Sequence, residues 1–329
     1  MSSNKEGLSK IFSFFSKKAE ETGTDQPQQR QSSVYDIRVQ EAMWMPTDAE
    51  QHDALKVLAD EFFSVEPVDA DVEPAELLKF YKNGGFVLSR LGEHDRAKRY
   101  YDCAIATNPN DAYSYFGRGN TYRDKGEFQK AIIDYKHAIA IEPDNENFYC
   151  HMGVAYLQMG INDEAISCYS KAVDINPYNS ANLTGRALAY LRTEKWDEAL
   201  ADYDAAIDME PFDTELLYAR AGIYVHRKAW DEALADCNEA IGINPDDGRY
   251  HCLKGNILLE QENIVQAIDS YSTAITLQPE AALYYYGRGQ AYLAANEHDK
   301  ALADLEKSQS LDTENKLQIQ AQLDSLSQK

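Results

Sequence analysis

The sequence predicts an all-α protein, an α-solenoid of helix–turn–helix repeats, and two periodic patterns support this fold class. Six prolines recur at intervals of 34 residues, namely Pro109, Pro143, Pro177, Pro211, Pro245 and Pro279. Two columns of alanine keep the same interval, one running from Ala97 to Ala301 and the other from Ala104 to Ala274. Small residues at a fixed repeat position are expected where two helices approach each other closely.

Residues 111–143 show one complete unit. Ala131, Tyr135 and Ala138 follow i, i+4 and i+7 spacing, so they share one face of the second predicted helix. Gly126 separates this helix from the first one. The unit is therefore predicted to be two helices joined by a tight turn.

Most units also begin with a helix-capping residue. A short polar side chain two residues after the proline is able to accept hydrogen bonds from free backbone N–H groups. Five units have such a residue, namely Asp111, Asn145, Asn179, Asp213 and Asp247. Ala281 is the exception at this position.

With this interval and these residues, the chain resembles the tetratricopeptide-repeat family, whose unit is a helix–turn–helix of about 34 residues. Seven units fit residues 78–315, with starts near Leu78, Ala112, Glu146, Ser180, Thr214, Gly248 and Ala282. The resemblance implies a right-handed superhelix in which the first helix of each unit lines a concave groove. It also implies a non-enzymatic scaffold or adaptor that binds other proteins.

Segments outside this array are predicted to cap it or to extend from it. Residues 41–77 read as an N-terminal capping helix, capped by Asp48 and running through Leu55, followed by a linker. Residues 316–329 read as the polar-backed C-terminal capping helix that solenoids require. Residues 1–40 are Ser- and Gln-rich and are predicted to be a disordered tail.

Within that tail, residues 7–18 predict a short basic amphipathic helix. Its apolar residues recur at helical spacing and are surrounded by lysines: Leu8, Ile11, Phe12 and Phe15. Three roles stay open for it. It would dock on a membrane surface, dock on a partner or in this protein's own groove, or act as a targeting or export address.

Composition narrows the function classes. A net charge of −23 over 329 residues disfavours nucleic acid as a partner. The five cysteines form no C-x-x-C pair, so neither a disulfide framework nor a zinc site is predicted, and a reducing, cytoplasmic compartment is expected. No catalytic, phosphate-binding or paired-histidine metal motif occurs, so we predict no enzyme activity, cofactor or metal.

In the family, the first helix of each unit lines the groove, and the equivalent positions of this chain give a candidate groove. In the first three units it comprises Lys79, Lys82, Phe86, Arg90, Tyr113, Phe116, Asn120, Arg123, Asn147, Val154 and Gln158. In the later units it comprises Leu188, Arg192, Tyr218, His226, Arg249 and Asn256. These residues are predicted to bind an extended or helical peptide segment of another protein.

The first two units concentrate positive charge in an acidic chain. Four cations surround three aromatic residues, namely Lys79, Lys82, Arg90 and Arg123 around Phe86, Tyr113 and Phe116. Asp124 is the one carboxylate that the sequence places near them. This pattern favours an acidic or C-terminal peptide, whose carboxylates would meet the cations.

A second set of cations shares one repeat position: Arg118, Arg186, Arg220, Lys254 and Arg288. We expect each of them to lie along a neighbouring helix and to pair with carboxylates rather than with a ligand.

Two other functions stay open. One is a peripheral membrane-associated assembly factor docked by residues 7–18, and the other is a secreted bacterial effector or secretion chaperone whose Ser-rich start is an export address. The sequence makes no prediction of oligomeric state.

Overall fold

The computed structural model describes residues 53–57 and 73–311, and all regular secondary structure in these ranges is helical. Residues 73–311 form fourteen helices, and consecutive helices pack in pairs as seven hairpins. The hairpins belong to two compact units that divide between Asn176 and Pro177. For the described residues, the all-α prediction and the seven repeats are confirmed.

The described part of unit one contains three hairpins. Its helices are α1 (Pro74–Arg90), α2 (His94–Thr107), α3 (Ala112–Asp124), α4 (Phe128–Ile141), α5 (Glu146–Gln158) and α6 (Asn162–Ile175). Unit two contains four hairpins. Its helices are α7 (Ser180–Arg192), α8 (Trp196–Met209), α9 (Thr214–His226), α10 (Trp230–Ile243), α11 (Gly248–Glu260), α12 (Ile264–Leu277), α13 (Ala282–Ala294) and α14 (His298–Leu311).

Helix starts follow the repeat register closely. The first helices of repeats two to seven begin at the predicted residues. Helix α1 instead begins at Pro74, four residues before the predicted start near Leu78. Proline fits the first turn of a helix because its missing N–H has no intrahelical partner there, so Pro74 opens α1 and does not end the linker.

The predicted caps are confirmed. The side chains of the five capping residues accept from backbone N–H groups at 2.8–3.2 Å, and they are Asp111, Asn145, Asn179, Asp213 and Asp247. Ala281 makes no side-chain cap.

The core consists of small residues facing large ones. Every alanine of the two predicted columns has a relative exposure of 0%. Tyr135 is also fully buried, and a methyl group added at Gly119 would lie 2.7 Å from its ring. The repeat therefore needs a very small residue opposite this tyrosine.

Each hairpin turn places one residue in the left-handed backbone region at the same repeat position. Three of these residues are glycines with φ between 73° and 76°: Gly92, Gly126 and Gly160. Four are not glycine, with φ between 58° and 62°: Glu194, Lys228, Glu262 and Asn296. The turn thus keeps its left-handed geometry even in the four repeats that have no glycine at this position.

Of the flanking predictions, only part falls on described residues. Residues 53–57 are helical, with Ala54 and Leu55 buried, within the predicted N-terminal capping helix. The predicted amphipathic helix of residues 7–18, the linker up to residue 72 and the C-terminal cap of residues 316–329 lie outside the described residues.

Candidate partner-binding site

Packing of the first helices defines the surface on which the predicted groove residues lie. In unit one, α1 contacts α3 and α3 contacts α5, and in unit two α11 contacts α13. We call the surface of α1, α3 and α5 the first-helix face of unit one. It carries the predicted groove residues of the first three repeats.

Tyr113 stands at the start of α3 with a relative exposure of 49%. Its ring meets Phe148 edge-on at 5.6 Å, and Asn145 donates to its hydroxyl at 3.1 Å. The ammonium of Lys82 lies 5.7 Å from the ring centroid and donates to Asp111 at 3.0 Å. This ion pair was not predicted from the sequence, because Asp111 was assigned there only as a helix cap.

An open cleft of about 600 Å³ lies beside Tyr113. Its other wall is the loop between α4 and α5, and the lining residues are Ile141, Glu142, Pro143, Asp144, Asn145, Glu146 and Asn147. The cleft therefore has an aromatic side near Lys82 and a carboxylate-rich side on the loop.

Phe116 lies deeper on the same face. Its ring centroid is 5.0 Å from that of Phe148 and 4.8 Å from that of His151. These contacts tie the first helices of repeats two and three together and give Phe116 a half-buried position. Its ring is fixed by packing before any partner binds.

Arg123, Asn120 and His151 form a polar cluster next to Phe116. Nη1 of Arg123 and Oδ1 of Asn120 each lie 2.7 Å from Nδ1 of His151. A guanidinium only donates and an amide oxygen only accepts, so Nδ1 of neutral His151 accepts from Arg123 when the ring proton lies on Nε2 and donates to Asn120 when the proton lies on Nδ1. Burial, helped by the Arg123 charge, lowers the pKa of His151 to about 4.

Arg123 also donates through Nε and Nη2 to Asp124, at 3.1 and 2.8 Å. The predicted proximity of Asp124 is confirmed. Arg123 and Lys82 therefore each have a carboxylate partner within the repeat array.

The other predicted residues of unit one occupy the same helices. On α1, Lys79 and Arg90 are exposed and Phe86 is half-buried. On α5, Asn147 and Gln158 are exposed and Val154 is half-buried.

In unit two, the predicted residues Tyr218 and Arg249 come together. The guanidinium carbon of Arg249 lies 5.6 Å from the centroid of Tyr218 and 5.5 Å from that of Tyr250. Arg249 also forms ion pairs with Glu215 and Asp247. Its charge is therefore balanced within the repeat array.

The remaining predicted residues of unit two are separate. Leu188 and Arg192 are exposed on α7. His226, at the end of α9, stacks on Trp196 with ring centroids 3.8 Å apart. Asn256 accepts from the hydroxyl of Tyr271 at 2.6 Å, as Asn120 does from Tyr135 at 2.8 Å.

The recurrent arginines make the predicted structural pairs. Each donates through Nε and Nη2 to a buried aspartate sixteen residues later, and the pairs are Arg118–Asp134, Arg186–Asp202, Arg220–Asp236 and Arg288–Asp304. Lys254 differs, because it donates to the amide oxygen of Asn238 at 2.8 Å. These contacts explain the shared position without an anionic ligand.

Sequence reasoning did not assign His151 to the site. Equivalent positions in four other repeats hold small residues, namely Gly117, Gly185, Ala219 and Gly287, but Asn83 and Leu253 occupy the remaining two. A large residue at this position is therefore only a weak signal in the sequence.

Two further features bear on function within residues 53–57 and 73–311. None of these helices is both long and apolar enough to cross a membrane. In the same residues, no three His, Cys, Asp or Glu side chains are grouped so as to hold a metal ion.

Family models match most of the array. The model described as TPR repeat matches residues 119–160. Models described as Tetratricopeptide repeat match residues 100–133, 147–179, 184–248 and 252–315. No curated protein matches the chain in sequence.

Solved structures share the fold at low sequence identity. A tetratricopeptide repeat protein from Parabacteroides merdae is 21% identical, covers 77% of this chain and 100% of its own, and has a TM-score of 0.58. PilF from Pseudomonas aeruginosa is 16% identical over 68% of this chain and 99% of its own, with a TM-score of 0.56. Yeast Tom70 is 17% identical over 93% of this chain and 65% of its own, with a TM-score of 0.54. The repeat interval, the helical hairpins and the matching models agree, and the chain belongs to the tetratricopeptide-repeat family.

Proposed function

We propose that this protein is a non-enzymatic scaffold that binds a peptide segment of a partner protein on the first-helix face of unit one. The family fold supports a protein-interaction scaffold in general. The observation that carries the specific site is Tyr113, a half-exposed aromatic ring beside an open cleft of about 600 Å³. Exposed tyrosines held in one orientation are common anchors of protein interfaces.

Tyr113 is held in place before binding. Phe148 packs on its ring and Asn145 donates to its hydroxyl. Binding therefore costs less conformational entropy at this side chain than it would if the ring were mobile in the free protein. An apolar side chain of the peptide would pack against the ring within the cleft.

The charges on the two sides of the cleft favour one orientation of the bound peptide. The ammonium of Lys82 has three donors, and Asp111 takes one of them. A peptide carboxylate would accept another, since a partly exposed ion pair contributes only about 0–1 kcal/mol and is easily extended. Glu142, Asp144 and Glu146 line the opposite side and would repel that carboxylate. The acidic end of the peptide is thus proposed to lie toward Lys82.

Affinity capture with a matched pair of variants tests the site. Tyr113→Ala introduces the residue found at the equivalent Ala181, and Ile133→Ala introduces the residue found at Ala201. Both parent side chains are large and exposed, Ile133 at 55%, but Ile133 lies on the second helix α4 of its repeat. We expect Tyr113→Ala to lower recovery of the main partner at least about fivefold, roughly 1 kcal/mol, and Ile133→Ala to leave it unchanged. Equal recovery of the partner by both variants would contradict the proposed site.

A further inference from the structure

Unit two has an apolar surface that is separate from the first-helix face of unit one. In four loops between repeats, the residue after the proline is polar: Asn110, Asp144, Asp246 and Glu280. In the two other loops, which are consecutive, it is aromatic. Tyr178 has a relative exposure of 85% and Phe212 of 79%.

These two loops are adjacent in space. The hydroxyl of Ser180 donates to the carboxylate of Glu210, which places the loop before α7 against the loop before α9. Met209, the last residue of α8, is 37% exposed and lies three residues before Phe212. We call Tyr178, Met209 and Phe212 the edge patch. Apolar side chains gathered in this way are typical of a docking surface.

The surroundings of the edge patch are acidic. Residues 196–219 contain eight Asp and Glu and no Lys or Arg. Asp208 and Glu210, next to Met209, are both exposed. Across residues 177–311 of unit two, 23 Asp and Glu stand against 11 Lys and Arg. A partner that fits here has apolar side chains together with positive charge.

The chain contains a segment of that chemistry. Residues 7–18 combine Leu8, Ile11, Phe12 and Phe15 with three lysines and no carboxylate. The 54 residues between Lys18 and Glu73 would span up to about 180 Å if extended. Tether length therefore does not prevent this segment from reaching the edge patch.

We infer that residues 7–18 dock on the edge patch of their own chain. Phe12 and Phe15 would bury against Phe212 and Tyr178, and the lysines would face Asp208 and Glu210. This contact is independent of the peptide site of unit one. Its electrostatic part weakens as salt shortens the distance over which charges interact.

Photo-crosslinking in the full-length chain tests the contact. With p-benzoylphenylalanine in place of Phe15, irradiation should give intramolecular cross-links to the peptide that contains residues 209–213. Phe212→Asp, which introduces the residue found at the equivalent Asp246, should lower their yield at least about fivefold. Raising the salt from about 0.05 to 0.5 M should also lower it.

Val265→Asp is the matched control. Val265 is 73% exposed, also lies in unit two, and is replaced by aspartate at the equivalent Asp231 and Asp299. This variant should cross-link like the parent chain. Undiminished cross-linking in Phe212→Asp, cross-links only to unit one, or cross-links only between two chains would each overturn the inference. So would an absence of cross-links combined with flotation on phosphatidylserine vesicles through residues 1–20, which would assign the segment to a membrane.

Discussion

Arg118 binds Asp134 through two parallel hydrogen bonds, Nε to Oδ2 at 2.8 Å and Nη2 to Oδ1 at 2.7 Å. The side chain of Asp134 has a relative exposure of 3%, so its negative charge is stabilised by Arg118 rather than by water. In repeat three, the equivalent positions hold Met152 and Cys168, which belong to one apolar cluster. Repeat three thus replaces both members of the pair with apolar residues.

This pairing predicts a non-additive pair of substitutions. Arg118→Met alone leaves a buried carboxylate without its main partner and should cost about 3 kcal/mol. Adding Asp134→Cys reproduces the combination of repeat three and should recover at least half of that loss. Urea denaturation followed by circular dichroism measures both. A double variant no more stable than Arg118→Met would contradict the account.

Asn182 is a source of instability that substitution should relieve. It is fully buried, and neither atom of its amide has a hydrogen-bond partner. Leucine occupies the same repeat position at Leu216. Asn182→Leu should therefore raise the free energy of unfolding by about 1–3 kcal/mol, because it removes an unsatisfied buried amide. A lower denaturation midpoint would show that the amide contributes stability.

The left-handed turn position offers a second stabilising change. Lys228 has φ of 58°, whereas the equivalent residue of repeat two is Gly126. Lys228→Gly should raise stability by about 0.5–1 kcal/mol, the left-handed strain relieved minus the added entropy of glycine in the unfolded chain. Asn296→Gly is the matched comparison. Its gain should be smaller, because asparagine tolerates this region better.

His151 predicts how stability depends on pH. Its folded pKa of about 4 lies below the ordinary value of 6.5, so between these values the unfolded chain binds a proton that the folded chain does not. Stability contributed by this site is therefore present above pH 6.5 and falls as the pH drops toward 4, by about 3 kcal/mol in total. His151→Asn keeps an acceptor for Arg123 without titrating. Thermal melts from pH 7 to 4.5 should show a shallower loss for this variant, and identical slopes would refute the assignment.

Regular features of the repeat were predictable from single residues. Asp111 and its equivalents marked helix starts because a capping side chain acts locally on the next backbone N–H groups. The start of α1 was missed because Pro74 lies outside the 34-residue register. The pairing of Lys82 with Asp111 was missed because it joins different repeats, 29 residues apart. Contacts of this kind depend on how the hairpins pack.

The proposed site was predictable to a similar extent. Tyr113 and Phe116 followed from the family rule for first helices. The cleft beside Tyr113 did not, since its other wall is mainly the loop that joins α4 to α5, and the family rule concerns only the first helices. The acidic side of that cleft changes the expected ligand from a generally acidic peptide to one with its carboxylate toward Lys82.

Hydrogen exchange of the full-length chain, with and without the captured partner, tests the central claim most directly. We predict that the partner slows exchange in the first turn of α3 and in residues 141–147, and that Tyr113→Ala abolishes this protection while Ile133→Ala preserves it. Protection confined to unit two, or to the second helices α2, α4 and α6, would contradict the proposal that the first-helix face of unit one binds the partner.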